Sequence, residues 1–195
     1  MRTFIFEPLG MDNSAMAVGD DLADRVVERP AGIPFGPDHD FSPISFNDPL
    51  WAATDDGSGG LFSSPLDFLR FKQAILDGGV LDGVRVLSCS AVQLMTTNRI
   101  PGTPGEAVGR TRVEASWGYG FGVGASEVWR LFSGGIRAPG AFFHGGAGGI
   151  YAWADPATDI AAVYIDIVTE VDEFTVPLSW AAHRFDDVIS AAVLD

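Results

Sequence analysis

The sequence predicts an α+β fold, an α/β sandwich in which helices flank an antiparallel sheet. Three observations lead to this prediction: a strong helix signal at residues 64–79, glycine-punctuated alternating segments from residue 117, and an amphipathic stretch at residues 177–194. Consecutive strands joined by short turns pair antiparallel, and helices on either side of them in sequence cover the sheet. The 195 residues, 47% of them hydrophobic, are enough to form the core of one domain.

The first predicted helix follows a long loop. Residues 28–60 are rich in Pro, Gly and Asp, which predicts an irregular surface excursion. Ser64 then fits the helix N-cap and Pro65 the first helical position, where its missing N–H costs nothing. Gly78 permits the left-handed turn that ends a helix. A second, shorter helix is predicted at residues 88–97.

Strands are predicted over residues 117–168. WGYGFGV alternates aromatic or apolar residues with glycine, which favours a strand close to another backbone. EVWRLF, AFFHGG and GIYAWAD predict further strands separated by turns. DIAAVYIDIV is almost continuously apolar and predicts a central strand. A terminal helix at 177–194 then closes the domain.

Composition excludes several classes of function. A net charge of −14 disfavours nucleic acids and anionic membrane surfaces as partners. No apolar run reaches the ~20 residues of a membrane span, and no signal peptide is visible, so the sequence leaves localisation open. The sequence predicts no metal site, because the three histidines, His39, His144 and His183, lie far apart. It also contains no glycine-rich loop of the kind that binds the phosphates of a cofactor, so no cofactor is predicted.

The sequence lacks two motifs that commonly carry a nucleophilic serine. No G-x-S-x-G motif is present, and Leu69 stands three residues before Lys72, the only lysine, so the chain contains no S-x-x-K pair. His144 allows two interpretations: a hydrogen-bonded strand histidine, or a polar group on a substrate-facing strand whose glycines allow close approach. Tyr119 and Trp153 likewise fit either packing or the lining of a cleft.

Five segments follow one another in a characteristic order: PLGM, GGLFSSPLDFLRF, VLDGVRVLS, WGYGFGV and FHGGAGG followed by DP. This order resembles the serine β-lactamase family, and within it the class C β-lactamase, DD-peptidase and β-lactamase-fold esterase branch. The resemblance implies the C-terminal part of the β-lactamase and penicillin-binding-protein transpeptidase-like fold. Residues 1–195 would then be the C-terminal portion of a single domain.

The resemblance also implies roles for the glycine-rich strand. His144, Gly145 and Gly146 match the family's His-x-Gly form of its third motif, so His144 and Gly146 are expected in the catalytic cleft wall, with Gly145 beside substrate. The backbone N–H of Ala147 is expected to contribute to the oxyanion hole. Histidine in place of lysine favours the esterase- or peptidase-like members, because lysine helps to hold a substrate carboxylate.

The family's Ser-x-x-Lys and Tyr-x-Asn motifs belong upstream of PLGM. We therefore expect this chain to lack the nucleophile and to be inactive alone, although the complete protein would hydrolyse an ester, β-lactam or peptide through an acyl-enzyme. Two alternatives stay open: a non-catalytic remnant or binding module, and one subunit of a split hydrolase. Expected partners are a small acyl substrate in the complete protein and a complementing N-terminal half, or self-association through the exposed sheet edge.

Overall fold

The computed structural model describes residues 1–28, 47–57, 59–107, 110–124, 137–146, 149–167 and 180–193. A π-helical segment, Arg2–Phe6, opens the chain. The α-helices are α1 (Glu7–Leu9), α2 (Asp20–Ala23), α3 (Pro49–Ala52), α4 (Pro65–Leu76), α5 (Cys89–Thr96) and α6 (Trp180–Ala191). Within the described ranges, none of these helices has the length and apolar character needed to cross a membrane.

Eight strands are described. They are β1 (Val80–Leu81), β2 (Val84–Arg85), β3 (Pro104–Ala107), β4 (Arg110–Glu114), β5 (Gly122–Val123), β6 (Phe142–Gly146), β7 (Ile150–Asp155) and β8 (Ile160–Ile165). β1–β2 and β3–β4 form two small hairpins, and the other four strands form one antiparallel sheet in the order β5-β6-β7-β8. Helices packed against an antiparallel sheet confirm the predicted α+β class.

Helix α4 begins where its capping residues predict. The Ser64 hydroxyl accepts a hydrogen bond from the Asp67 N–H at 3.2 Å, and Pro65 occupies the first helical position. The helix packs across β7 and β8, and Ile75 is buried against Phe142 of β6 and Ala154 of β7. Helix α5, capped by Ser88, adds Val92 to the same cluster. We call the side of the sheet that faces α4 and α5 the front face.

The opposite side, here the back face, carries α6. Side chains alternate along a strand, so Phe143, Tyr151 and Trp153 point away from α4 and form a second cluster. Phe185 and Ile189 of α6 pack against this cluster. The helical stripe predicted at 177–194 is confirmed at these two positions, and the part of that stripe before residue 180 lies outside the described residues.

A carboxylate ties the segment that follows PLGM to α4. Asp67 is only 4% exposed and accepts hydrogen bonds from the Asn13 N–H at 2.7 Å and the Ser14 hydroxyl at 2.9 Å. The Ser14 hydroxyl also lies 2.8 Å from that of Ser63. Helix positions near the N-terminus favour a negative charge. Asp67 therefore joins two segments that are more than 50 residues apart in sequence.

Replacing Asp67 with alanine is expected to lower the free energy of unfolding by about 2–3 kcal/mol, because it leaves two partly buried donors, the Asn13 N–H and the Ser14 hydroxyl, without their acceptor. Urea denaturation followed by tryptophan fluorescence measures the loss. Asp77→Ala is the matched control at the other end of α4, where the carboxylate is exposed, and it should change stability by less than about 0.5 kcal/mol. Equal effects of the two substitutions would contradict the anchoring role.

Three strand predictions need correction or fall outside the described residues. WGYGFGV forms a ladder only at Gly122–Val123, with an isolated bridge between Trp117 and Gly122. Gly120 has a φ of 95°, so the backbone turns where a strand would continue. The predicted strand EVWRLF lies outside the described residues. β8, predicted as central, is the last of the four described sheet strands.

Candidate active site

The candidate site is centred on His144, the third residue of β6. Its register partner is Ala152 of β7, and alternation places it on the front face together with Phe142. Phe142 is buried in the core, whereas His144 is exposed. The strand therefore leaves the core between these two residues and carries an imidazole to the protein surface at the edge of the α4–α5 layer.

One hydrogen bond determines the protonation pattern of the ring. Nδ1 of His144 lies 2.8 Å from the carbonyl oxygen of Gly145. A carbonyl can only accept, so Nδ1 must carry the hydrogen and donate it. In the neutral ring, the proton on Nδ1 leaves Nε2 with a lone pair and the capacity to accept one hydrogen bond.

The surroundings favour the uncharged ring. The pKa of His144 is lowered from its ordinary value of 6.5, chiefly because partial burial of the ring disfavours the charged form. The Gly145 carbonyl acts in the opposite direction by stabilising the imidazolium, and the positive charge of Lys72 lowers the pKa further. At pH 7 the ring is therefore mainly neutral and does not offer a full positive charge to a carboxylate.

Trp117 is the aromatic neighbour of His144. The two ring centroids are 5.7 Å apart and the planes are inclined at 71°, an edge-to-face arrangement. The segment that carries Trp117 runs close to α5, because a Cβ on Gly118 would lie 2.0 Å from the carbonyl oxygen of Met95. Only glycine permits this approach, so the alternation of WGYG has a packing cause.

The structure brings some predicted site residues together and separates others. Gly145 and Gly146 continue β6 beside His144, and Ala147 lies outside the described residues. Tyr119 is 63% exposed, and its N–H donates to the Leu94 carbonyl of α5 at 3.1 Å. Trp153 is 1% exposed on the back face, so the sheet separates it from the exposed His144 ring.

The sequence did not single out two residues near this site. Trp117, which the sequence alone assigns to packing in the core or at the rim of a cleft, lies two residues before Tyr119 in the segment WGYGFGV. Lys72 is fully buried, and Nζ has no hydrogen-bond partner among the described residues. Nζ lies 4.1 Å from the ring centroid of Phe121 and 5.2 Å from that of Phe142. Burial, and secondarily the charge of Arg137, lower the pKa of Lys72 to about 7.

The chemistry of this strand is suited to contact with a ligand. An exposed imidazole whose Nε2 can accept a hydrogen bond lies beside glycines whose backbone a ligand can approach closely. In the described ranges, no group of three or more His, Cys, Asp or Glu side chains is placed to hold a metal ion. The structure thus defines a protein with a sandwich of helices on an antiparallel sheet and a histidine-bearing strand at the surface.

Comparison with known proteins assigns this fold to a family. The family model described as beta-lactamase matches residues 1–166. Protein Rv1367c of Mycobacterium tuberculosis is 37% identical over 118 residues, 56% of this chain and 28% of that protein. A penicillin-binding protein homologue from Caulobacter crescentus shares 26% identity with a TM-score of 0.64, and the alignment covers 94% of this chain and 51% of that one. A family VIII carboxylesterase shows the same fold at 22% identity and a TM-score of 0.62, over 93% of this chain and 49% of that one.

The chain belongs to the β-lactamase family, whose fold it shares with penicillin-binding-protein-like serine hydrolases. The resemblance inferred from the ordered segments is therefore confirmed at the level of family and fold. The chain spans about half the length of the solved structures it matches, and its aligned part covers 28% of the mycobacterial relative.

Proposed function

We propose that this chain is the C-terminal portion of a β-lactamase-related serine hydrolase and forms one wall of its acyl-transfer cleft. The observation that carries the proposal is the exposed His144, followed by Gly145 and Gly146, on the strand that leaves the core at the edge of the front face. The family membership and the position of this His-x-Gly segment both support it.

The complete protein would act by acyl transfer. A serine hydroxyl would attack the carbonyl carbon of an ester, β-lactam or peptide, the alcohol or amine would leave with a proton, and water would then release the acid from the acyl-enzyme. In this scheme His144 contacts substrate or the reacting hydroxyl groups, and the N–H of Ala147 stabilises the oxyanion. Among the three substrate classes we favour an ester, because a mainly neutral His144 offers no full charge to a β-lactam carboxylate.

The nucleophile is proposed to lie outside this chain. The only lysine, Lys72, is preceded three residues earlier by Leu69 and is buried in the core, so it cannot activate a serine one helical turn away. The two serines that lie beside α4 already have structural partners: Ser64 caps the helix and Ser63 pairs with Ser14. The complementing half would come from a preceding segment or from a second chain, the latter making this protein a subunit of a split hydrolase.

The purified chain is expected to give no covalent labelling of a serine with a fluorophosphonate probe and no hydrolysis of p-nitrophenyl butyrate or nitrocefin. A serine hydrolase of known activity provides the positive control for each reagent, and mass spectrometry locates any adduct. If the probe labels a serine of the native but not the urea-denatured chain, the chain contains its own nucleophile and the proposal is wrong.

Sequencing the coding region directly upstream of Met1 separates the remaining alternatives. An in-frame Ser-x-x-Lys and Tyr-x-Asn supports a hydrolase whose nucleophile precedes this chain, and a separate neighbouring reading frame with those motifs supports the split enzyme. Their absence from both favours a non-catalytic remnant or binding module that retains the cleft wall.

A further inference from the structure

The backbone of Trp117 is held from both sides. Its N–H donates to the side-chain oxygen of Asn98 at 3.2 Å, and its carbonyl accepts from the Arg99 N–H at 2.8 Å. Gly118 then packs directly on the Met95 carbonyl of α5. The indole is half-buried, and its contact with the His144 ring places it beside β6.

Two contacts restrain the imidazole of His144. Two side-chain torsions set the ring position, and the edge-to-face contact with Trp117 opposes rotation of the plane. The hydrogen bond from Nδ1 to the Gly145 carbonyl selects one of the two ring flips, because the alternative flip would turn a carbon toward that oxygen. Together the two contacts determine both the orientation and the tautomer.

We propose that Trp117 is a positioning residue of the cleft wall: its indole holds the His144 ring so that Nδ1 donates to the Gly145 carbonyl and Nε2 is presented to the ligand as a hydrogen-bond acceptor. This inference rests on the proposed function, because it deepens the role of the same strand. If Nε2 accepts a hydrogen bond from the ligand, the ligand must carry a donor, an O–H or N–H, opposite Nε2.

The electrostatic setting is consistent with that assignment. Lys72, in α4 on the front face, is the charged side chain that lowers the pKa of His144. Its positive charge disfavours protonation of the imidazole. Arg137 lowers the pKa of Lys72 through its positive charge. Its guanidinium lies among the aromatic rings of the back face, with the guanidinium carbon 4.9 Å from the ring centroid of Trp153. A neutral ring with a lone pair on Nε2 repels a carboxylate and accepts from a hydroxyl.

Long-range ¹H–¹⁵N correlation spectra of the labelled full chain test the proposal. The chain has three histidines, and the spectrum of His144→Gln identifies the signals of residue 144. At pH 7.5 we expect a protonated Nδ1 and an unprotonated Nε2, with a midpoint of titration below 6.5. A protonated Nε2 in the unaltered chain would overturn the assignment without any variant at Trp117.

Three tryptophan variants separate positioning from general packing. Trp117→Leu is expected to populate both tautomers of His144 and to move its pKa upward toward 6.5, because the ring loses its cover. Trp117→Phe keeps an aromatic edge and should retain the single tautomer. Trp51→Leu, the same change in α3, should leave the His144 signals unchanged.

Two outcomes would refute the role of Trp117: an unchanged His144 tautomer and pKa in a folded Trp117→Leu chain, or equal disturbance by Trp51→Leu. Backbone amide spectra report whether each variant is folded, and Trp117→Phe tests the proposal if the leucine variant unfolds. Because these spectra need no turnover, a failure here is distinct from a failure of the proposed hydrolase function, which the probe-labelling experiment detects.

Discussion

Asp186→Ala is expected to lower the free energy of unfolding by about 3–5 kcal/mol, the range for removing one member of a buried ion pair. Both oxygens of Asp186 bind the guanidinium of Arg137, one of them from Nε at 2.9 Å, and the two side chains are 0% and 3% exposed. The substitution leaves a buried cation without its counter-charge.

The energetic cost arises from the surroundings of Arg137. Its guanidinium carbon lies 5.5, 5.1 and 4.9 Å from the ring centroids of Phe143, Tyr151 and Trp153. These rings attract a cation, but they do not replace the hydrogen bonds that the carboxylate accepts. Asp155 fixes the same segment by accepting from the Ala138 N–H at 3.1 Å. Arg137 therefore cannot move to solvent without disrupting the end of β7.

Urea denaturation at pH 7.5 and sub-micromolar protein, followed by tryptophan fluorescence, measures this loss. The double variant Arg137→Met, Asp186→Leu contains no isolated charge and should be clearly more stable than Asp186→Ala. Glu7→Ala breaks the exposed ion pair with Arg2 and serves as the surface control, with an expected change below about 1 kcal/mol. A loss from Asp186→Ala no greater than that of Glu7→Ala would show that the pair is not buried in solution.

Lys72→Met is expected to stabilise the chain most strongly below pH 7. The pKa of Lys72 is lowered from 10.5 to about 7, mainly because burial disfavours the ammonium. In the part of the chain that the structure describes, no group accepts a hydrogen bond from the amine. At about 1.36 kcal/mol per pKa unit, the difference corresponds to a penalty on the order of 5 kcal/mol when the amine is charged. Methionine has a similar length and carries no charge into the core.

The pH dependence has a definite sign. Between pH 7 and 10.5 the unfolded chain retains the lysine proton that the folded chain has lost, so the contribution of Lys72 to the stability of the native protein rises with pH across this window. Below pH 7 both states hold the proton and the penalty is present in full. The stability difference between Lys72→Met and the native chain should therefore be largest at pH 6 and shrink toward pH 10.

Denaturation curves at pH 6, 7, 8, 9 and 10 for both chains provide the measurement. Taking the difference removes the contributions of the other titrating groups, and Arg2→Met serves as the control because the Arg2 side chain is 82% exposed. A difference that does not vary between pH 6 and 10 would mean that Lys72 reaches solvent or finds a carboxylate in solution. The two experiments are linked, because Asp186→Ala leaves Arg137 uncompensated and should lower the pKa of Lys72 further.

Local signals in the sequence predicted the parts of the structure that depend on neighbouring residues. Ser64 and Pro65 predicted the start of α4, and the glycine-bounded alternation of AFFHGG and GIYAWAD predicted the hairpin of β6 and β7. The candidate strand with His144, Gly145 and Gly146 was found in the same way. Each of these features needs only a short segment for its specification.

Long-range pairing was not predictable from the sequence. Arg137 and Asp186 are 49 residues apart, and no local pattern indicates that they meet. The contact between Trp117 and His144 likewise depends on how α5 and β6 pack. Lys72 did carry a signal, because it follows Phe68 by four residues and precedes Ile75 by three, which places it on the apolar stripe of α4. The charge of a lysine favours exposure, whereas its position on the stripe indicates burial, and the packed structure follows the position.

The outer side of β8 has no strand paired with it among the residues that the structure describes. Along this strand Val163 belongs to the α4 side, and Ala162 and Tyr164 to the α6 side. Any chain that added there would have to match this alternation in phase. If the added strand were shifted by one residue, its side chains that should face α4 would face α6, and those that should face α6 would face α4. The alternation of β8 would therefore favour one register of the added strand over its neighbours.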